Sequence, residues 1–219
     1  MQQVTTTSVS ALLAFFAATI GVTFAAAQIT RTLRTGSVEG ISVLSWAAMT
    51  ANAGLWTVYG VRTGSVQQIL ANEPWVLATV VLGSGLAVSR GLPAPVGALA
   101  GLLGLPLGFV VNQIGDAGVT VLGALLTLGV GVPQVAVLRH SIGAEGVSLP
   151  GWSLASVSAA CWLAHGLLEA RPAVYLCSAL GLAVNLTVTV SLIGARRRGQ
   201  IISACFDDFA VAVPAGAAQ

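Results

Sequence analysis

The 219-residue chain is 56% apolar and only 7% charged, with a mean hydropathy of +0.90, whereas an average soluble domain carries about 25% charged residues. Its net charge of +2 rests on nine arginines without a lysine, which excludes the broad basic field that nucleic-acid binding requires. Cys161, Cys177 and Cys205 are odd in number, and the first two lie in apolar stretches, so neither a disulfide framework nor a metal site is expected.

Taken in chain order, seven apolar stretches reach the length of about 20 residues that crosses a hydrocarbon core. They are 8–29, 40–61, 65–89, 92–114, 117–138, 146–168 and 172–194. Helix is expected in each, because a chain in lipid must satisfy its backbone hydrogen bonds within the segment. The first stretch ends in Ala25-Ala26-Ala27, an A-x-A pattern, but its leader lacks positive residues, so it reads as a retained helix and not a signal peptide. Pro93 and Pro95 fall where a helix start tolerates them. Residues 196–219, with Asp207 and Asp208, are expected to form a disordered tail.

Arginine placement orients such a bundle. With the N-terminus outside, Arg31, Arg34, Arg90, Arg139 and the run Arg196, Arg197 and Arg198 are cytoplasmic, while Arg62 and Arg171 face outward. Seven of nine then lie inside, which favours N-out, C-in.

A shift of 106 residues aligns the two halves without a gap. Gln28 meets Gln134, Glu39-Gly40 meets Glu145-Gly146, Ser42 meets Ser148, Trp46 meets Trp152, Trp56 meets Trp162 and Gly60 meets Gly166. Apolar composition alone does not place two tryptophans at equal spacing in both halves, so the chain contains an internal repeat. An odd linking helix between the copies makes them point the same way, a parallel repeat about an axis along the membrane normal. The expected fold is therefore an all-α membrane protein of seven transmembrane helices in a 3+1+3 order. Residues 1–90 and 116–195 form the two three-helix bundles, 91–115 the linker helix and 196–219 the tail.

Pro133-Gln134 followed by Glu145-Gly146-Val147-Ser148 and Trp152 resembles a PQ-loop motif, with a weaker copy at Ala27-Gln28, Glu39-Gly40-Ile41-Ser42 and Trp46. Trp56-x-x-Tyr59-Gly60 and Trp162-x-x-His165-Gly166 are similar to the W-x-x-Y-G signature of the SWEET sugar transporters and their half-size bacterial relatives. Over residues 8–195 the chain thus resembles the SWEET and PQ-loop superfamily. The resemblance implies a solute pocket at Trp56, Asn72, Trp162 and Ser178, where Ser178 replaces the family's asparagine by a shorter hydroxyl. It also implies gating or hinge roles for Gln28, Pro133 and Gln134, with Ala27 in place of the first unit's proline.

Read on their own chemistry, Asn72 and Trp56 lie about 10 Å and about 8 Å below the outer boundary at 1.5 Å per residue, a pairing of amide and flat apolar ring that suits a sugar. Glu73 is the one acidic residue well inside a stretch and is a candidate proton site by default. Its alternative is a carboxylate that snorkels outward and pairs with Arg62. Trp75, Trp46 and Trp152 read as aromatic belt or packing residues, and Asn52, Asn185 and Ser158 as interhelical hydrogen-bonding groups. His165 reads as an interfacial polar tip that could modulate outer gating. No paired carboxylates and no His or Cys metal spacing occur within a stretch, so neither an enzymatic role nor a cofactor is expected.

The leading expectation is a passive alternating-access facilitator for mono- or disaccharides in a bacterial plasma membrane. Its partners are then the solute and the bilayer, and a homo-oligomer is compatible with the sequence. Alternatives are a proton-coupled carrier of amino acids or related metabolites through Glu73, and a receptor or sorting protein that binds without transport.

Overall fold

A computed structural model describes residues 2–35, 37–89, 91, 93–95, 99, 102 and 104–212. Among them the regular structure is helical: α1 (Gln2–Thr35), α2 (Val43–Thr63), α3 (Val66–Ser89), α4 (Gly104–Ile114), α5 (Asp116–His140), α6 (Leu149–Leu168) and α7 (Pro172–Ala212). Much of the expected fourth stretch, Leu92 included, and Arg90 lie outside the described residues, as do residues 213–219 of the tail.

Helix starts and stops repeat with the sequence. Ser42 and Ser148 take extended backbone at the N-caps of α2 and α6, and their hydroxyls accept from Ser45 N and Gly151 N. These caps, each worth about 1 kcal/mol, start the helices at residues 43 and 149 instead of the expected 40 and 146. At the opposite ends Gly64 and Ala170 adopt left-handed backbone, with φ of +67° and +50°. Ser65 N then donates to Gly60 O and Arg171 N to Gly166 O, both at 2.9 Å. A Cβ on Gly60 would lie 2.9 Å from Gln68 Cβ, and one on Gly166 would lie 2.7 Å from Tyr175 N. The glycine of each W-x-x-[YH]-G run is thus the point where one helix touches the next.

Residues 196–212 differ from expectation: α7 continues through them. The physical reason lies in the arginines. Arg198 donates to Leu138 O (2.7 Å) and to the carbonyls of Arg139 and Ser141, which end α5, while Arg196 donates to Val147 O at 2.8 Å. The extension thereby supplies donors to carbonyls that have no partner in their own helix.

Helix α3 packs on both α1 and α2, and α7 packs on both α5 and α6. Between the halves α1 meets α6 and α2 meets α5. These adjacencies close a ring in the order α1, α3, α2, α5, α7, α6, with α4 packed outside on α2 and α5. Each contact within the first half has its counterpart in the second.

Buried polar side chains, Gln28, Gln134, Thr50 and Gln68 among them, sit within a mostly apolar interior, whereas Phe15, Phe16, Phe109 and Val132 are each about 60% exposed. Large apolar side chains exposed in this number depart from the surface of a water-soluble protein. Three helical stretches among the described residues are long and apolar enough to cross a membrane, Ser8–Thr35, Asp116–His140 and Pro172–Ile201, consistent with an integral membrane protein. Helices α2, α3 and α6 turn Thr50, Gln68, Asn72, Ser156 and Ser158 away from the surface.

Left-handed backbone costs a residue with a Cβ about 1–2 kcal/mol, so Ala170→Gly is expected to stabilise the fold by about 1 kcal/mol after the added chain entropy of glycine. Gly166→Ala, which drives a methyl into the α7 backbone, is expected to destabilise it by about 1–3 kcal/mol. Equilibrium unfolding in detergent micelles measures both.

Candidate functional site

Where the two halves meet, the ring borders a partly open cavity of about 210 Å³. Trp56, Asn72, Trp162 and Ser178 all line it. Its wall is built from repeat-related positions: besides those two pairs, Asn52 and Ser158 face the cavity, as do Trp75 and Gly181. The lining is made of apolar, aromatic, hydroxyl and amide side chains, with no charged residue among the described ones.

Local hydrogen bonds fix how these groups present themselves. The Trp56 indole N–H donates to Asn52 Oδ1 at 3.2 Å, and the ring meets Tyr59 edge-on at 5.3 Å. Trp162 stands in the same relation to His165, at 5.4 Å. Asn72 Nδ2 donates to Gln68 O, one turn earlier, at 2.8 Å. With their N–H or NH2 groups engaged or edge-packed, the tryptophans offer chiefly their faces and Asn72 its carbonyl oxygen.

At one end of the ring lies a reciprocal clamp. Gln28 on α1 donates from Nε2 to Gly146 O (2.7 Å) and accepts at Oε1 from Ser148 N (2.9 Å). Gln134 on α5 donates to Gly40 O (2.5 Å) and accepts from Ser42 N (3.0 Å). Each half therefore holds the loop of the other, at the residue that caps its second helix. Both glutamines are almost fully buried, at 1% and 2% exposure. The loops also touch each other, Gly146 N donating to Glu39 O at 3.1 Å. Arg31 adds an exposed pair with Glu145, worth little at such exposure. Pro133, inside α5, removes the bond that residue 133 would donate to the carbonyl of residue 129, one residue before the clamping glutamine.

The opposite end carries two smaller bridges, anchored at the repeat-related positions Ser10 and Asp116. Ser10 on α1 hydrogen-bonds His165 Nδ1 on α6 at 2.8 Å. On the other seam Arg62 pairs with Asp116 of α5 and lies 5.2 Å over the Tyr59 ring. Arg62 also donates to Asn112 O at 3.3 Å.

One expectation is corrected here. Glu73 is exposed and absent from the cavity lining, so it stands away from Asn72, as the 100° step between helix neighbours requires. Nor does it pair with Arg62, whose carboxylate partner is Asp116. Of the two readings of Trp75, belt or packing, the packing one holds: it is 7% exposed, donates to Gly21 O at 3.1 Å and packs on Phe24 and Trp46. With Trp152 on the far side of Phe24, these rings form an aromatic cluster, of which Phe24 and Trp75 also line the cavity. Asn185 and Ser158 make the expected interhelical bonds, to Ala155 O and Ala17 O, yet they line the cavity as well. Gln68, also in the wall, was not singled out by the sequence. Its signal was its place one turn before Asn72.

No family model, curated protein or solved structure matches the chain, so the site is read from its own geometry.

Replacing Gln28 or Gln134 by leucine removes two cross-half hydrogen bonds and leaves a backbone N–H and C=O unpartnered. Each variant is expected to lose about 2–4 kcal/mol of unfolding free energy in micelles, by similar amounts because the two bonds correspond. An effect below about 0.5 kcal/mol for either would show that water replaces the clamp.

Proposed function

We propose that this chain is a membrane carrier that passes a small neutral, hydroxyl-bearing solute, a one-ring sugar, down its gradient by alternating access. In this reading seven transmembrane helices form two parallel three-helix units joined by α4, as in the SWEET family that the motifs resemble. The N-terminus lies outside and the clamp faces the cytoplasm. The observation that carries the reading is the common cavity of Trp56, Asn72, Trp162 and Ser178 at the seam between the repeats.

Chemistry narrows the solute. Indole faces stack on apolar C–H surfaces while amides and hydroxyls meet hydroxyl groups. A wall without charge gives a carboxylate or ammonium nothing to replace its water, which disfavours amino acids. At about 210 Å³ the cavity exceeds the roughly 150 Å³ that accepts benzene and falls short of the roughly 300 Å³ at which drug-sized pockets begin. One sugar ring suits it better than two.

Alternating access follows from the bonds at the two ends. Opening toward the clamp breaks the Gln28 and Gln134 bonds; opening the other way breaks Ser10–His165 and Arg62–Asp116. The solute site lies between. Because the cytoplasmic set is buried and more numerous, the state open at that end is the less populated one without solute.

Counterflow of labelled D-glucose and of amino acids into proteoliposomes, with and without a pH gradient, tests the reading. Glucose counterflow is expected without a gradient, to fall at least about tenfold in Asn72→Ala and to be unchanged in Glu73→Gln. Uptake that needs the gradient and disappears in Glu73→Gln would establish a coupled carrier instead. Saturable binding without flux would point to a receptor on the same fold.

A further inference from the structure

We propose that Asn185 is a solute-binding residue, supplying from α7 the amide that the second unit lacks at position 178. The proposal rests on the carrier reading and adds which groups select the solute.

Asn185 follows Ser178 by seven residues, about 700° around the helix and so only about 20° short of two turns. Both side chains accordingly belong to one stripe of α7, and both line the cavity. The rise places Asn185 about 10 Å further toward the clamp. Asn52, one turn from Trp56 in the same direction along α2, borders the cavity too. The wall therefore has two polar levels: Asn72 and Ser178 beside the indoles, and Asn52 with Asn185 beneath them.

The hydrogen-bonding sense of each amide is set by its partner. Ala155 O can only accept, so the Asn185 group 3.0 Å from it is Nδ2, which leaves Oδ1 and the second N–H for a solute. Asn72 donates from Nδ2 both to Gln68 O and, at 3.5 Å, to Gln68 Oε1, so its free group is the acceptor Oδ1. Asn52 accepts from the Trp56 indole, which can only donate, so its whole NH2 group stays free to donate. Ser158 has its hydroxyl proton on Ala17 O.

The cavity thus offers acceptor oxygens on Asn72 and Asn185 and amide N–H donors on Asn52 and Asn185, with Gln68 as a fourth amide in the wall. A solute that donates at least twice and also accepts fits this set, which describes a ring bearing several free hydroxyls. A group that only accepts, such as a carboxylate, ether or fluorine, leaves the acceptors unpartnered. Selection at the lower level comes from Asn185 and not from position 178.

Counterflow competition in proteoliposomes with the full-length chain tests this, using D-glucose and its set of mono-deoxyfluoro analogues, in which one hydroxyl at a time keeps its size but cannot donate. The wild-type protein is expected to disfavour analogues at two separate ring positions, each by about tenfold. In Asn185→Leu one of those two gaps should close while the other, tied to Asn72, persists. A leucine variant that only slows transport, with the analogue profile unchanged, would overturn the role of Asn185 and leave the carrier reading standing. Fewer than two disfavoured positions in the wild type would overturn it whether or not the variant folds. Absence of glucose counterflow in the wild type would instead overturn the carrier reading itself.

Discussion

A backbone N–H or C=O without water at hand must be satisfied inside the protein, and at one end of this ring two glutamines meet that demand. Gln28 and Gln134 each engage the glycine carbonyl and serine N–H of the opposite loop. The same serines cap α2 and α6, so the clamp also fixes where those helices begin. Through their starting points it fixes where Trp56 and Trp162 stand. The cavity at the seam is in this sense a product of the clamp, because the walls that face each other are held in register by bonds that run between halves.

The helices divide their polar and apolar side chains unequally between the cavity and the outside. Long uninterrupted apolar stretches occur in α1, α5 and α7, which present Phe15, Val132 and Val190 to the outside. Helices α2, α3 and α6 supply most of the amides and hydroxyls of the wall. The side chains they bury there are bonded to backbone carbonyls.

How far the sequence foretold this depends on the range of the interactions involved. The 106-residue repeat, the glycines at 60 and 166 and the serines at 42 and 148 were legible because each acts within a few residues of itself or recurs in both copies. The pairing of Trp56 with Trp162 around one cavity was legible from the repeat and the family resemblance together. That Gln28 would reach the second loop and not its own was not, since a partner 118 residues away leaves no local mark. Arg62 met Asp116 instead of the nearer Glu73, because the α4–α5 corner brings position 116 alongside α2, a tertiary fact. Residues 196–212 were misread as a disordered tail for the same reason: the carbonyls that Arg196 and Arg198 satisfy belong to α5 and the second loop.

The reciprocity of the clamp has a consequence in time as well as in space. During synthesis the first three helices are made with the Gly40–Ser42 loop still lacking Gln134, which follows about 90 residues later. Until α5 arrives, that loop has to stay at the water surface, where solvent can stand in for the missing amide. Gln28 likewise waits for residues 146–148 before it can be buried. The two halves therefore mature together at the end of synthesis and not one after the other, and α4 is the element that keeps the early half within reach of the late one.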